Sequence, residues 1–163
     1  MKRKRKPLFL TRRNVTLAQL QSQFPTDEKS RQYLEDMRWP DGVHCARCKN
    51  PWVWKIKANK EIGLRPGLWD CGRCKKQFTV TIGTIFEHTH VPLRKWLVAC
   101  FLIFSSQQIS SLELQRVLKL GSYHTALSMT RRIRSALPPQ PRVLSFDEKM
   151  RRLLCMECNR VLD

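Results

Sequence analysis

The chain has 163 residues, 31 of them Lys or Arg and 13 Asp or Glu, which gives a formal net charge of +18 and a pI of about 10.3. This length fits one domain or two small ones, and no segment approaches the roughly 20 apolar residues of a membrane span, so we expect no membrane association. The charge indicates a polyanionic partner, nucleic acid first of all, although a ribosomal or merely basic protein would have the same composition.

Residues 1–15 form a strongly basic arm with no acidic residue before Asp27. Charge repulsion should keep such an arm extended, and arms of this kind commonly follow phosphates or enter a minor groove. A nuclear-localisation signal is the alternative in a eukaryotic host, whereas in a bacterium we expect a cytoplasmic, nucleoid-associated protein. The residues of the arm predicted to contact DNA are Lys2, Arg3, Lys4, Arg5, Lys6, Arg12 and Arg13.

Residues 16–42 predict two short helices. Thr16 and Gln19 have the spacing of a capping box, and their helix should end before Phe24, which precedes a proline. The second helix should begin at Thr26, because two acidic residues in its first turn would be favoured by the helix dipole. Its apolar stripe consists of Tyr33, Leu34 and Met37.

Residues 43–86 contain two Cys-x-x-Cys pairs separated by 22 residues. Two such pairs present four thiolates from two tight turns, which is the ligand set that Zn²⁺ prefers in a tetrahedral site. Iron in a rubredoxin-like site and a pair of disulfides are the alternatives. The predicted metal ligands are Cys45, Cys48, Cys71 and Cys74.

The segments around these pairs predict a three-stranded zinc ribbon. A strand at Trp52–Lys57 leads into a turn-rich tip at Ala58–Gly67. Alternating apolar and polar residues at 78–83 predict a further strand, which we expect to pair with the strand at Trp52–Lys57. Because apolar residues are few, the ribbon should need its metal to fold. Four basic residues at the cysteine turns could balance the thiolate charge or contact phosphate, namely Arg47, Lys49, Arg73 and Lys75. Of these, Arg47 and Arg73 are predicted to contact DNA.

Residues 91–137 predict three helices. The first begins at Pro92, and a capping box at Ser110 and Glu113 opens the second, which should bury Leu114, Val117 and Leu118. A turn then follows in which Gly121 takes the left-handed conformation and Ser122 caps the third helix.

The third helix, predicted at 123–137, has an apolar side and a polar, basic side. Together with the preceding turn and helix it predicts a helix-turn-helix with this last helix in the major groove, and an ordinary three-helix bundle with a solvated basic face is the alternative. The residues of this unit predicted to contact DNA are Ser122, His124, Thr125, Ser128, Arg131 and Arg132.

Residues 138–163 predict a proline-rich linker and tail. Cys155 and Cys158 form a third Cys-x-x-Cys pair with no further ligands after it. Half a metal site needs a partner, so this pair would join two chains across zinc, belong to a truncated second ribbon, or consist of ordinary thiols.

A series of motifs in residues 24–137 resembles the N-terminal region of bacterial insertion-sequence transposases of the ISXO-like group. The motifs are Phe24-Pro25, Arg38-Trp-Pro-Asp-Gly42, Cys45-x-x-Cys48, Trp69-Asp-Cys-Gly-Arg-Cys74, Gln77-Phe-Thr-Val80, Gly83-Thr-Ile-Phe86, Pro92-Leu-Arg-Lys-Trp96 and Arg131-Arg-Ile-Arg134. The resemblance implies a zinc ribbon and a helix-turn-helix that bind the terminal inverted repeats of the element. It also implies a following RNase H-like domain that cuts DNA. His124 and Leu127 depart from residues common in the family, lysine and tryptophan, which leaves the preferred DNA sequence open.

An RNase H-like domain needs roughly a hundred residues or more, and only 142–163 follow the predicted helices. We therefore expect a non-catalytic α+β protein that binds Zn²⁺ and double-stranded transposon ends, as part of a truncated or domesticated transposase. A second copy and the full-length transposase are further expected partners. The alternatives are a zinc-ribbon module that binds proteins in transcription or ribosome-associated factors, and one piece of a split transposase.

Overall fold

The computed structural model describes residues 16–59, 61–105, 108–137 and 146–154. This part of the chain contains six helices and a three-stranded antiparallel sheet, which confirms the predicted α+β class. The predictions for the basic arm and for Cys155 and Cys158 fall outside the described residues. The elements are α1 Leu17–Gln23, α2 Asp27–Arg38, β1 Val53–Lys55, β2 Trp69–Cys71, β3 Gln77–Phe78, α3 Leu93–Ser105, α4 Ser111–Leu118, α5 Tyr123–Ser135 and α6 Phe146–Leu153.

The two N-terminal helices begin where their predicted caps lie. The backbone N–H of Thr16 donates to Oε1 of Gln19 at 3.0 Å, and the Thr16 hydroxyl accepts the N–H of Gln19, so both halves of the capping box form. Thr26 caps α2 through its hydroxyl. Tyr33 and Leu34 are buried, as the apolar stripe predicts.

The sheet has the order β1-β2-β3, with β2 in the centre. The expected pairing of the last strand with β1 is wrong, because Phe78 of β3 pairs with Trp69 of β2. The cysteine turn at 71–74 folds the chain back along the free edge of β2, because β1 already pairs with the other edge.

The predicted strand at 78–83 is also wrong beyond Phe78. The chain turns instead, since Thr84 donates both its N–H and its hydroxyl to the carbonyl of Thr81, at 3.1 and 2.6 Å, and Gly83 has φ 71°. Alternation of apolar and polar residues over so short a segment does not distinguish a strand from a turn that buries one side. Val80 is buried in this turn.

The C-terminal helices begin at the predicted caps, with the hydroxyls of Ser110 and Ser122 accepting backbone N–H groups of α4 and α5. Two details of the prediction are wrong. The left-handed residue after α4 is Lys119, with φ 49°, rather than Gly121, because α4 ends at Leu118 and the left-handed residue follows directly. Val117 is 39% exposed, since it lies about 100° around α4 from the buried Leu118.

Helix α6 lies within the predicted linker and tail, so its packing is a correction to that prediction. It buries residues at positions i, i+4, i+7 and i+8 and packs against α2 and α3. The ring of Phe146 contacts the rings of Phe101 and Phe104, with centroids 6.3 and 5.3 Å apart. The buried residues of this segment are Phe146, Met150, Leu153 and Leu154.

One hydrophobic core joins the ribbon to all six described helices, α1 to α6. Helix α3 is its central element, packing against α1, α2, α4, α5 and α6 and burying residues on most of its circumference. The ribbon is therefore held against the helical part by shared packing.

Among the described helices, none combines the length and the apolar character needed to cross a bilayer.

Replacing Met150 by Ala should lower the free energy of unfolding by about 2 to 5 kcal/mol, because it leaves a cavity between α6 and the core. Urea denaturation of the zinc-loaded chain would measure the change. The matched control is Arg151→Ala, which removes an exposed side chain from the same helix and should change stability by less than about 0.5 kcal/mol. Equal effects of the two substitutions would contradict the packing of α6.

Candidate metal centre and nucleic-acid interface

The two Cys-x-x-Cys turns have the same backbone construction. In each, the N–H of the lysine that follows the pair donates to the carbonyl of the first cysteine at 3.0 Å, from Lys49 to Cys45 and from Lys75 to Cys71. Both lysines adopt left-handed conformations, with φ 62° and 54°. Each turn thereby directs two thiols towards the same point.

The four sulfurs lie at the corners of a small cluster. Sγ of Cys45 is 3.7 Å from Sγ of Cys74, Sγ of Cys48 is 3.5 Å from Sγ of Cys71, and all four lie within 4.8 Å of one another. Zn–S bonds of about 2.3 Å in a tetrahedron place sulfurs about 3.8 Å apart, so the cluster has the right size for zinc. The structure thus brings together all four predicted ligands in a set that could hold one metal ion.

Two thiols of this cluster have shifted pKa values. The backbone N–H of Cys74 is the main cause that lowers the pKa of Cys71 to about 7. The N–H of Arg73 and the neighbouring sulfurs also lower this pKa, whereas burial acts to raise it. The N–H of Lys76 acts to lower the pKa of Cys74, but burial and the neighbouring sulfurs outweigh it and raise that pKa to about 11. A metal bound by four thiolates would therefore displace protons, and its binding would weaken as the pH falls.

Helix α2 contacts the ribbon through Trp39, the residue at its C-cap. The Trp39 ring contacts the rings of Trp69 and Phe78, with centroids 6.3 and 6.0 Å apart, and its side chain is 5% exposed. His44, which directly precedes the first cysteine, packs its ring edge-on against Trp39. These contacts hold the ribbon and its cysteine cluster against α2, since the rings of Trp69 and Phe78 belong to β2 and β3.

Two charged residues of α2 also bind the ribbon, and sequence reasoning missed both roles. Glu35 is 5% exposed, accepts a hydrogen bond from Nε1 of Trp69 at 3.3 Å and lies 3.6 Å from Nζ of Lys55. Arg38 donates to the carbonyl of Val80, and burial lowers its pKa to about 10, although Glu87 acts in the opposite direction. Helical periodicity places these residues beside the apolar stripe, but nothing in the sequence names their partners.

The predicted DNA-contacting residues of α5 fall into two groups. His124, Ser128 and Arg131 are exposed along the helix, and Thr125 is half-buried. The Ser122 hydroxyl is used as the helix cap, accepting the N–H of His124 at 3.2 Å.

Arg132 has a different environment from the other residues of this face. Its guanidinium donates to the carbonyls of Ile85 and Glu87 at 3.2 and 3.0 Å, so it joins α5 to the segment that follows the ribbon.

On the ribbon, the side chains of Arg47 and Arg73 are exposed. The backbone N–H of Arg47 donates to Sγ of Cys45 at 3.4 Å. Both proposed roles of these two arginines stay predictions.

Residues 25–77 match the family described as the transposase zinc-ribbon domain, of the IS1595 type. This segment is similar to a transposase zinc ribbon. An uncharacterized protein in transposable element ISH50 of Halobacterium salinarum is 30% identical over 78 residues, which cover 48% of this chain and 25% of that relative. The chain thus matches about a quarter of the length of this relative. No solved structure matches the chain. The predicted resemblance to transposases is confirmed for the ribbon segment.

Replacing Cys71 by Ser should abolish stoichiometric zinc binding, because it removes one of four thiolates from a buried cluster. Zinc content after gel filtration, measured by elemental analysis, would fall from about one ion per chain to a small fraction of that. Cys100→Ala is the matched control: Cys100 is buried in α3, and burial raises the pKa of its thiol. Loss of zinc from the control, or full retention by Cys71→Ser, would contradict the assignment.

Proposed function

We propose that this chain is a zinc-dependent DNA-binding protein of a transposable element and that it recognises duplex DNA at the terminal inverted repeats. The observation that supports this most strongly is the combination of a transposase-type ribbon with a helix, α5, whose exposed side is basic. The two units share one core, so the position of one constrains the other.

Zinc would serve a structural role in this function. Cys45, Cys48, Cys71 and Cys74 would provide all four ligands, and such a closed site leaves no position for water or substrate. The metal would supply a fixed crosslink between the two cysteine turns. The ribbon and the helices it contacts would then present a rigid surface to DNA.

Helices α4 and α5 would form the reading unit. They pack against each other and are joined by residues 119–122, a turn length typical of helix-turn-helix motifs. With α5 in the major groove, His124 and Ser128 would face base edges near the start of the helix, and Arg131 would reach a guanine further along it. Arg132 would fix the orientation of α5 through its bonds to the carbonyls of Ile85 and Glu87.

Non-specific affinity would come from phosphate contacts. A net charge of +18 favours release of counterions from DNA, and the basic arm of residues 1–15 and the exposed Arg47 and Arg73 would contribute to it. Binding should therefore weaken steeply as the salt concentration rises.

Replacing Arg131 by Ala should weaken binding to a terminal-repeat duplex by about 1 to 3 kcal/mol and reduce the preference over a shuffled duplex. Fluorescence anisotropy with both duplexes at several salt concentrations would measure affinity, preference and salt slope. The matched control is Arg151→Ala, which removes the same charge from α6 and should leave the preference for the repeat unchanged.

Two results would overturn the proposed function. One is equal affinity of the unmodified chain for the terminal repeat and for shuffled duplex. The other is an Arg131→Ala variant that keeps the full preference for the repeat, since that would place sequence recognition elsewhere than α5.

A further inference from the structure

Two tryptophans of the ribbon are exposed, whereas most other aromatic side chains of the described residues are buried or partly buried in the core. Trp52 is 65% exposed and Trp54 is 44% exposed, and their ring centroids lie 6.3 Å apart at an interplanar angle of 61°. Large aromatic side chains usually bury most of their surface, and an exposed aromatic patch commonly marks a binding site. We call this pair the tryptophan ledge.

The strand geometry directs the tryptophan ledge away from the helices. Side chains alternate along β1, so Val53 and Lys55 face one side and Trp54 the other. Trp52 directly precedes the strand, and its ring lies beside that of Trp54. The inner side is in use, because Val53 packs against the core and Nζ of Lys55 lies 5.5 Å from the Trp69 ring centroid. In the described part of the sheet, β1 is an edge strand, paired with β2 alone.

The Trp52 ring is held flat against the cysteine turn by a glycine. A Cβ atom on Gly72 would lie only 2.5 Å from Cδ2 of Trp52, and the N–H of Gly72 donates to the Trp52 carbonyl at 2.9 Å. Any larger residue at position 72 would push the indole out of this position. One indole therefore has a fixed orientation with a large accessible surface before any ligand binds.

The charges near the ledge suit a nucleic acid. Nζ of Lys75 lies 5.6 Å from the Trp52 ring centroid, and Arg73 is exposed on the same cysteine turn. The acid closest in the sheet is Asp70, paired with Trp54 in the register, and its Oδ1 accepts the N–H of Cys71 at 2.8 Å. An aromatic pair beside cations is the combination that proteins use to stack unpaired bases while binding the adjacent phosphates.

We propose that Trp52 and Trp54 stack on the bases of an unpaired DNA segment, with Lys75 and Arg73 binding its phosphates. Unpaired DNA fits better than duplex because an indole stacks on a base face, and the interior of a duplex presents only base edges in its grooves. This inference deepens the proposed function, because it assumes that the chain acts on DNA. It adds a second DNA-binding surface that differs from α5 in location and in the form of DNA it takes.

The test uses the full zinc-loaded chain and two probes, a fluorescein-labelled single strand of about 15 nucleotides and the duplex of the same sequence, a length that covers one typical binding site. Trp52→Ala and Trp54→Ala should each weaken single-strand binding by about 5- to 150-fold, the range for loss of one base–aromatic stack. Duplex affinity should change by less than about 2-fold, since α5 is untouched. Trp52→Phe should restore much of the lost affinity, because phenylalanine also stacks.

The matched control is Ile62→Ala, which removes a 69% exposed apolar side chain from the tip of the same ribbon and should leave both affinities unchanged. Zinc content and circular dichroism of every variant verify that the ribbon is folded. Unchanged single-strand affinity in both alanine variants overturns the inference. An equal loss of affinity for the single strand and for the duplex also overturns it. So does a tryptophan ledge that binds a protein but shows no affinity for unpaired DNA.

The two proposals fail separately in this design. If the Arg131→Ala experiment shows no sequence recognition by α5 while the ledge variants lose single-strand binding, the proposed function is wrong and the stacking surface stands. If Arg131→Ala behaves as expected while the ledge variants bind the single strand normally, only the stacking surface is wrong.

Discussion

The convergence of four thiols between two cysteine turns is the constraint on which the rest of the ribbon depends. Cys45 and Cys71 are fully buried and belong to the hydrophobic core, so the sulfur cluster and the apolar packing occupy adjoining space. Four thiolates this close would repel one another without a metal, and a divalent cation removes most of that repulsion. The two lysines in left-handed conformations close the turns and keep the thiols convergent.

The contacts of α2 extend this constraint from the ribbon to the helices. Trp39 packs on rings of β2 and β3, Glu35 accepts from Trp69, and Arg38 donates to the carbonyl of Val80. Removing a charge from water is costly unless it is hydrogen-bonded, and both the buried Glu35 and the half-buried Arg38 have a partner on the ribbon side. Arg132 makes a similar connection from α5 to Ile85 and Glu87. These contacts join the ribbon and the segment that follows it to α2 and to the helix proposed to read DNA.

Local signals in the sequence predicted most elements correctly, while long-range partners could not be predicted. The caps at Thr16, Ser110 and Ser122 and the cysteine spacing act over a few residues, and each has the expected local geometry. Pairing of β3 with β2 depends on which side of the sheet the cysteine turn reaches, which no periodicity encodes. For the candidate site, sequence reasoning named the four thiols but not the partners of Glu35 or the exposure of the tryptophan ledge.

Helix α6 could not be predicted for a different reason. Its apolar spacing is visible in the sequence, but charged residues surround it and it follows a proline-rich run.

The packing of α6 bears on how much of the stability comes from the metal and how much from the apolar core. Of the twelve largest fully buried side chains, eight come from α3, α4, α5 and α6. Burial of that size stabilises the helical part without help from the sulfurs. An isolated zinc finger unfolds when its metal is lost, because it has little else. A metal held by the four thiols would therefore govern the shape of the ribbon, while the helices draw their stability from the apolar core around α3.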